Sequence, residues 1–278
     1  MSKLNFTKMN GAGNDFILID KTKNTKLKLS KEFIEQICNR HKGIGADGVL
    51  VVKPNNNYRF KLDYYNSDGS TGTLCGNGAR CAIKYILDNY KVKKNKIKFL
   101  FNNEVYKGHV GNDENITFVQ NVTDNVQQNL QIEINGSIIL GDFINTGSPH
   151  VVINWDDIKS IIKDDFNSFN VKDFGRQIRF AKLFEPNGTN VNFIKLTKQK
   201  NYIRTYERGV EDETLACGTG VVAASIVALE IFKRKSPIDF YTYGGDTLTV
   251  DCKKIKQKKR KISLTGPAKI NYIGTYNY

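Results

Sequence analysis

Two cysteines stand in nearly the same phrase, Thr73-Leu74-Cys75-Gly76-Asn77-Gly78 and Thr214-Leu215-Ala216-Cys217-Gly218-Thr219-Gly220, each followed at once by an apolar, Ala-rich run that reads as a helix. A cysteine that opens a helix lies against backbone N–H groups the helix cannot satisfy and against the positive end of its macrodipole, a setting that binds anions and favours thiolate over thiol. Glycine directly after each cysteine removes the side chain that would keep a ligand off those N–H groups. Gly76-Asn77-Gly78 and Gly218-Thr219-Gly220 therefore read as carboxylate cradles. A thiolate beside a bound carboxylate suits removal of a proton from the carbon α to it, because the N–H groups stabilise the charge that grows as the proton leaves. A second thiol on the opposite face can return a proton, giving inversion, and such a pair titrates as a coupled unit.

The two phrases lie about half a chain apart. A second echo, Gly13-Asn14-Asp15-Phe16-Ile17-Leu18-Ile19 against Gly147-Ser148-Pro149-His150-Val151-Val152-Ile153, recurs in the same order at nearly the same offset. Matched landmarks at matched spacing indicate a duplicated half, so two thiols serving one site become the leading expectation. Strand-like runs cover residues 16–20, 49–52, 58–66, 97–101 and 116–120, with a helix after Ser30 and another over 76–87. The second half repeats the theme with strands over 138–144, 151–154, 190–196 and 202–206 and a helix over 218–232 that is apolar on every side. These patterns predict an α+β protein of two pseudo-symmetric domains, each a curled mixed or antiparallel sheet wrapped around a central helix. The domains are expected at 1–125, carrying Cys75, and 126–278, carrying Cys217, with the Gln- and Asn-rich stretch at 121–136 as the crossing.

Composition narrows the partners. No apolar run approaches the roughly 18 residues of a membrane span, and the first residues lack a signal-peptide core, so a soluble cytoplasmic protein with no membrane partner is expected. Five cysteines without dense spacing read as reduced thiols, with Cys38, Cys81 and Cys252 as small buried apolar residues. Neither they nor His41, His109 and His150 show zinc spacing, and no metal is expected. The formal charge of +14 invites a nucleic-acid reading, but its dense runs, 91–98 and 253–261, fall where solvated turns are expected. A field that attracts small anions is the preferred reading, with no nucleic-acid partner. Gly43-Ile44-Gly45-Ala46-Asp47-Gly48 has the letters of a dinucleotide motif in reversed context, leaving a helix and entering a strand, which argues against NAD.

Taken together, Met9-Asn10-Gly11-Ala12-Gly13-Asn14-Asp15-Phe16, Asn66-Ser67-Asp68-Gly69-Ser70, Cys75-Gly76-Asn77-Gly78-Ala79-Arg80-Cys81, Gly147-Ser148-Pro149-His150, Asn190-Val191-Asn192-Phe193 and Glu207-Arg208-Gly209, leading into the Cys217 phrase, resemble the diaminopimelate epimerase family over nearly the whole chain. The resemblance implies cofactor-independent interconversion of LL- and meso-2,6-diaminopimelate, with Cys75 in the place of the proton donor and Cys217 in that of the acceptor. It implies that Asn14, Asn66, Asn190, Glu207 and Arg208 bind substrate, that Gly76-Asn77 and Gly218-Thr219 supply backbone contacts, and that the protein pairs as a homodimer. Arg208 suits a carboxylate and Glu207 an ammonium on the non-reacting head of such a substrate. His150 and Ser148 are possible supporting residues. The sequence departs from the family pattern at Ser148, where Asn is usual, at Gly48, where Gln is usual, and in a 209–213 loop one residue longer than the commonest spacing. The alternatives are a histidine, proline or hydroxyproline racemase on the same architecture, or a basic nucleic-acid-binding protein.

Overall fold

Runs such as Phe16-Ile17-Leu18-Ile19 and Val49-Leu50-Val51-Val52 carry no helical spacing and are buried throughout, as strands covered on both faces must be. The computed structural model describes residues 2–73, 75–92, 96–111, 113–134, 136–255 and 259–278, so Leu74 and parts of both lysine-rich runs lie outside the described residues. The chain forms two compact units, Met1–Gln120 with Thr265–Tyr278, and Asn121–Leu264.

The first unit contains β1 (Lys3–Gly11), β2 (Asn14–Asp20), α1 (Lys31–Cys38), β3 (Gly48–Lys53), β4 (Phe60–Asn66), α2 (Gly76–Asn89), β5 (Lys96–Phe101), β6 (Glu104–Val110) and most of β7 (Ile116–Val122). Strand β1 pairs antiparallel with β2, β2 parallel with β3, β3 antiparallel with β4, β4 parallel with β5, and β5 antiparallel with β6. Helix α2 touches β1, β2, β3 and β6, and Ala79, Ala82, Ile83 and Ile86 pack into one core with Phe16, Leu50 and Phe99.

The second unit contains β8 (Gln127–Ile134), β9 (Ser137–Asn145), β10 (Pro149–Asn154), α3 (Trp155–Ile158), α4 (Val171–Arg179), β11 (Asn190–Leu196), β12 (Asn201–Glu207), β13 (Asp212–Thr214), α5 (Gly218–Glu230), β14 (Ile238–Tyr241), β15 (Thr247–Lys254) and most of β16 (Arg260–Gly266). Its pairing senses repeat those of the first. β9 runs antiparallel to β10, β10 parallel to β11, β11 antiparallel to β12, β12 parallel to β14, and β14 antiparallel to β15. Helix α5, apolar all round, touches β9, β10, β11, β12 and β15. The duplicated order of strand senses, each around one buried helix, is the pseudo-symmetric α+β architecture.

Two elements differ from the sequence reading. The polar stretch expected as a crossing holds strand β8, whose inward Ile132 and Ile134 supply enough apolar surface for one face while Gln and Asn fill the other. The last strand, β17 (Lys269–Asn277), does not extend the second half. It pairs antiparallel along β1, which places residues 265–278 with the first unit where the sequence reading had put them after a cut at 125/126.

Candidate active site

Each cysteine phrase ends on a helix cap. Cys75 caps α2 and Cys217 caps α5, both in extended backbone (φ −78° and −110°), and neither side chain makes a capping hydrogen bond. The Cys75 carbonyl accepts from Ala79 N at 2.8 Å and the Cys217 carbonyl from Val221 N at 3.0 Å, so both helices are initiated at the cysteine itself. Each sulfur is thereby left to side-chain partners while the first-turn N–H groups of 76–78 and 218–220 face outward along the helix axis.

In the first unit Sγ of Cys75 donates to Oδ1 of Asn14 at 3.5 Å, and Nδ2 of Asn14 donates to Oδ2 of Asp47 at 2.5 Å. Asp47 sits in a charge cluster. Arg40 meets its other oxygen at 2.6 Å and grips Asp15 at 2.8 and 3.1 Å, while Lys8 reaches Asp15 at 2.7 Å. Burial opposes ionisation of Asp15, but the hydrogen bonds and charges of Arg40 and Lys8 hold its pKa at about 2. Burial and the neighbouring Asp15 charge push Asp47 upward. Asn66, at the end of β4, donates through Nδ2 to Ser70 Oγ at 3.0 Å and is tied to its own turn. Asn77 accepts from the fully buried Arg80 at 2.9 Å.

In the second unit the sulfur has a different environment. Sγ of Cys217 lies 3.4 Å from Oγ1 of Thr219, Ser148 Oγ donates to Thr219 Oγ1 at 3.4 Å, and Ser148 Oγ lies 2.9 Å from Nε2 of His150. Asn192 settles the direction of this row. One of its amide protons goes to the Val151 carbonyl at 3.0 Å, which can accept only, and the other to Nδ1 of His150 at 3.1 Å. His150 is completely buried, and burial first, with the Arg208 charge adding to it against the Asn192 hydrogen bond, pushes its pKa down to about 3. A neutral ring that accepts at Nδ1 carries its proton at Nε2 and donates to Ser148. Ser148 is then left to donate to Thr219, whose Oγ1 lies beside the Cys217 sulfur in a contact that either atom can donate. The Ser–Thr link is long for a hydroxyl pair.

Asn190 is almost fully buried, with Nδ2 on the Pro149 carbonyl at 2.7 Å and Oδ1 receiving Arg208 N at 2.9 Å, so it sets the backbone from which Arg208 projects. Arg208 reaches the Asn187 carbonyl at 3.3 Å, and Glu207 accepts from Thr214 Oγ1 at 3.0 Å. The longer loop that follows is anchored by Glu211, in a left-handed conformation (φ 59°). Its carboxylate accepts from Gly209 N and Tyr206 Oη at 3.0 Å and from Arg179 at 3.2 Å.

The sequence reading named Asn14 and Thr219 as substrate-binding and Ser148 and His150 as possible supporting residues; the structure sets Asn14 beside Cys75, and Thr219, Ser148 and His150 in a row beside Cys217. It missed Asn192, which stood in a quoted landmark without a role, and Asp47, which was weighed only as a letter of a nucleotide motif. Gly48 does enter a strand there, and a Cβ on it would stand 2.7 Å from the Tyr64 ring, so the Tyr64 side chain fills the room a larger residue would need. Of the remaining thiols, Cys38 and Cys81 are buried and pushed up to about 12 by burial, whereas Cys252 is half-buried and also raised. No helix among the described residues is long and apolar enough to cross a membrane, and among them no group of three or more His, Cys, Asp or Glu is arranged to hold a metal.

A family model described as diaminopimelate epimerase matches residues 6–128 and 143–271 of the chain. Proteins named diaminopimelate epimerase from Aquifex aeolicus (strain VF5) and Hydrogenobaculum sp. (strain Y04AAS1) are 37% and 36% identical to it, over 95% and 98% of this chain and 94% and 98% of theirs. Among solved structures, a hydroxyproline epimerase from Agrobacterium vitis with bound trans-4-hydroxy-L-proline superposes with a TM-score of 0.73 at 11% identity, covering 98% of this chain and 92% of that one. At that identity the likeness concerns the fold alone.

Proposed function

Because the chain belongs to the diaminopimelate epimerase family, we propose that it inverts the α-carbon of LL-2,6-diaminopimelate to give the meso isomer by a two-base reaction, with Cys217 removing the α-proton and Cys75 delivering a proton to the opposite face. The observation that carries the assignment of roles is the opposite polarity of the two sulfur environments. Cys217 meets a hydroxyl, Thr219 Oγ1, which is able to donate to a thiolate, while Cys75 meets the acceptor oxygen of Asn14, which favours its thiol. One ionised base and one protonated acid are what a single inversion requires, and the roles exchange in reverse.

The N–H groups at the start of α2 and those at the start of α5 are each suited to a carboxylate, and such groups stabilise the charge that grows on it during proton removal. Arg208 clamps the distal carboxylate and Glu207 the distal ammonium, with Asn14, Asn66, Asn77 and Asn190 completing the recognition. A proline-type substrate has no second zwitterion, which favours diaminopimelate over the other racemase substrates. The chemistry needs no cofactor, since a thiolate and the N–H cradles suffice to labilise the proton. The enzyme acts on a free small molecule in the cytoplasm, where thiols stay reduced, and works as a homodimer by analogy with the family.

The test is Cys75→Ala and Cys217→Ala, each assayed for conversion of LL-diaminopimelate and for exchange of the α-hydrogen with deuterated solvent. Both variants should fold and lose inversion. Inversion retained by either one ends the two-base reading, and equal exchange with histidine or proline would replace the substrate.

A further inference from the structure

We propose that Asp47 is a positioning residue for Cys75, acting through Asn14. This inference rests on the reading of Cys75 as the proton donor and adds how the chain makes it one. An asparagine side chain can present either its carbonyl or its amide to a sulfur, and the two ends have opposite effects. A carbonyl accepts from S–H and favours the thiol, whereas an amide donates to S⁻ and favours the thiolate. Nothing in Asn14 itself selects between them.

Asp47 makes the selection. Its Oδ2 receives the Asn14 amide at 2.5 Å and the backbone N–H of Asp15 at 3.1 Å, and its Oδ1 receives Arg40 at 2.6 Å. With donors on both oxygens it acts as an acceptor only, so the Asn14 Nδ2 must face it and Oδ1 must face Cys75, 3.5 Å away. The carboxylate is itself held in place. Asp47 N donates to Oδ1 of Asp15 at 3.1 Å, Arg40 spans Asp15 and Asp47, and Lys8 fixes the far side of Asp15 at 2.7 Å. Two carboxylates and two cations thus set the orientation of one neutral amide, and that amide sets the proton on one sulfur.

The experiment reads the orientation without relying on turnover. In a Cys217→Ser background, the rate of alkylation of Cys75 by iodoacetamide is followed against pH by mass spectrometry of the Cys75 peptide. Asp47→Asn, with its oxygen kept on Arg40, gives up the bond from the Asp15 N–H and presents its new amide to Asn14, turning the Asn14 amide toward the sulfur. The midpoint of Cys75 alkylation should move to lower pH by about one unit, the size expected when a hydrogen bond changes from acceptor to donor. Asp47→Ala, which frees Asn14 to turn, should move it in the same direction by a smaller amount. A midpoint that stays in place in both variants while they remain folded overturns the proposal, because a merely structural role would lower the melting temperature without shifting the titration. The unsubstituted chain supplies a readout free of folding risk. The Asn14 side-chain amide, identified in the nuclear magnetic resonance spectrum by its loss in Asn14→Ala, should exchange with solvent about tenfold or more slowly than exposed side-chain amides. Exchange as fast as theirs overturns the proposal equally. Failure of Cys75→Ala to abolish inversion would remove the catalytic reading and leave this orientation standing, so the two ideas fail separately.

Discussion

The side-chain amide of Asn192 donates to Nδ1 of His150 across 3.1 Å, and this bond fixes which ring nitrogen carries the proton that faces Ser148, the first link of the row that ends beside Cys217. Because its second amide proton is committed to the Val151 carbonyl, Asn192 cannot turn over, and the imidazole cannot exchange its tautomer without losing a buried hydrogen bond.

Ser148 is the middle of that row. Ser148→Ala removes the hydroxyl that receives from His150 and donates to Thr219, so the Thr219 hydroxyl beside the sulfur is no longer oriented by the row. The expected result is a fall in kcat of about tenfold, equivalent to about 1.4 kcal/mol in the barrier, with KM changed less than about twofold. Steady-state kinetics with LL-diaminopimelate checks it. An unaltered kcat would show that the row does not reach the reacting sulfur.

The buried His150 ties stability to pH. Its pKa in the folded protein is about 3 against an ordinary 6.5, so the folded state keeps the ring neutral while the unfolded chain takes up a proton below 6.5. The contribution is fully present above 6.5 and is lost progressively as pH falls toward 3. Urea titrations across that window should show stability declining with acid, and His150→Gln should lessen the slope by close to one proton, about 1.4 kcal/mol per pH unit. Identical slopes in the two proteins would mean that the ring is protonated when folded.

Gly78 and Gly220 occupy the same place in α2 and α5, yet their surroundings differ. A Cβ at Gly220 would strike Oδ1 of Asn192 and stand 3.3 Å from the Cys217 Cβ, whereas one at Gly78 would meet Leu50 Cδ2 at 3.0 Å and Phe16 Cζ at 3.4 Å. Gly220→Ala must displace Asn192 and is expected to cost about 1–3 kcal/mol together with most of the activity. In Gly78→Ala a leucine methyl can shift, and the gain in helix propensity of about 1 kcal/mol offsets the repacking. Thermal melts of both variants test the contrast, which fails if Gly78→Ala is the more damaging.

The parts of this protein that a reader of the sequence can find are those written locally and written twice. The Cys-Gly phrases announce helix caps because glycine follows the cysteine at once, and the apolar α5 announces its burial. The strands of alternating or continuous apolar residues around them are legible for the same reason. Asn192 and Asp47 are not, since their meaning comes from partners far off in the chain. Asn192 acquires its role from His150, brought alongside by the parallel pairing of β10 with β11, and Asp47 from Asn14 and Asp15, brought alongside by the parallel pairing of β2 with β3. Strand β8 escapes notice because its polar face outnumbers its buried isoleucines, and helix α4 because two short helices share a long polar connection.

The pairing of β17 with β1, from Lys3↔Asn277 to Asn10↔Lys269, governs how the protein can be made. As the chain is synthesised, β1 is made before residues 121–264 and its partner β17 after them. Residues 121–264 intervene, and they form a contiguous unit that can finish folding while the first unit still waits with one edge of β1 open. Closing that long loop is a late and slow event. Synthesis halted before residue 269 would thus yield a chain with a finished second unit and an exposed strand edge, a substrate for chaperones and proteases rather than an enzyme.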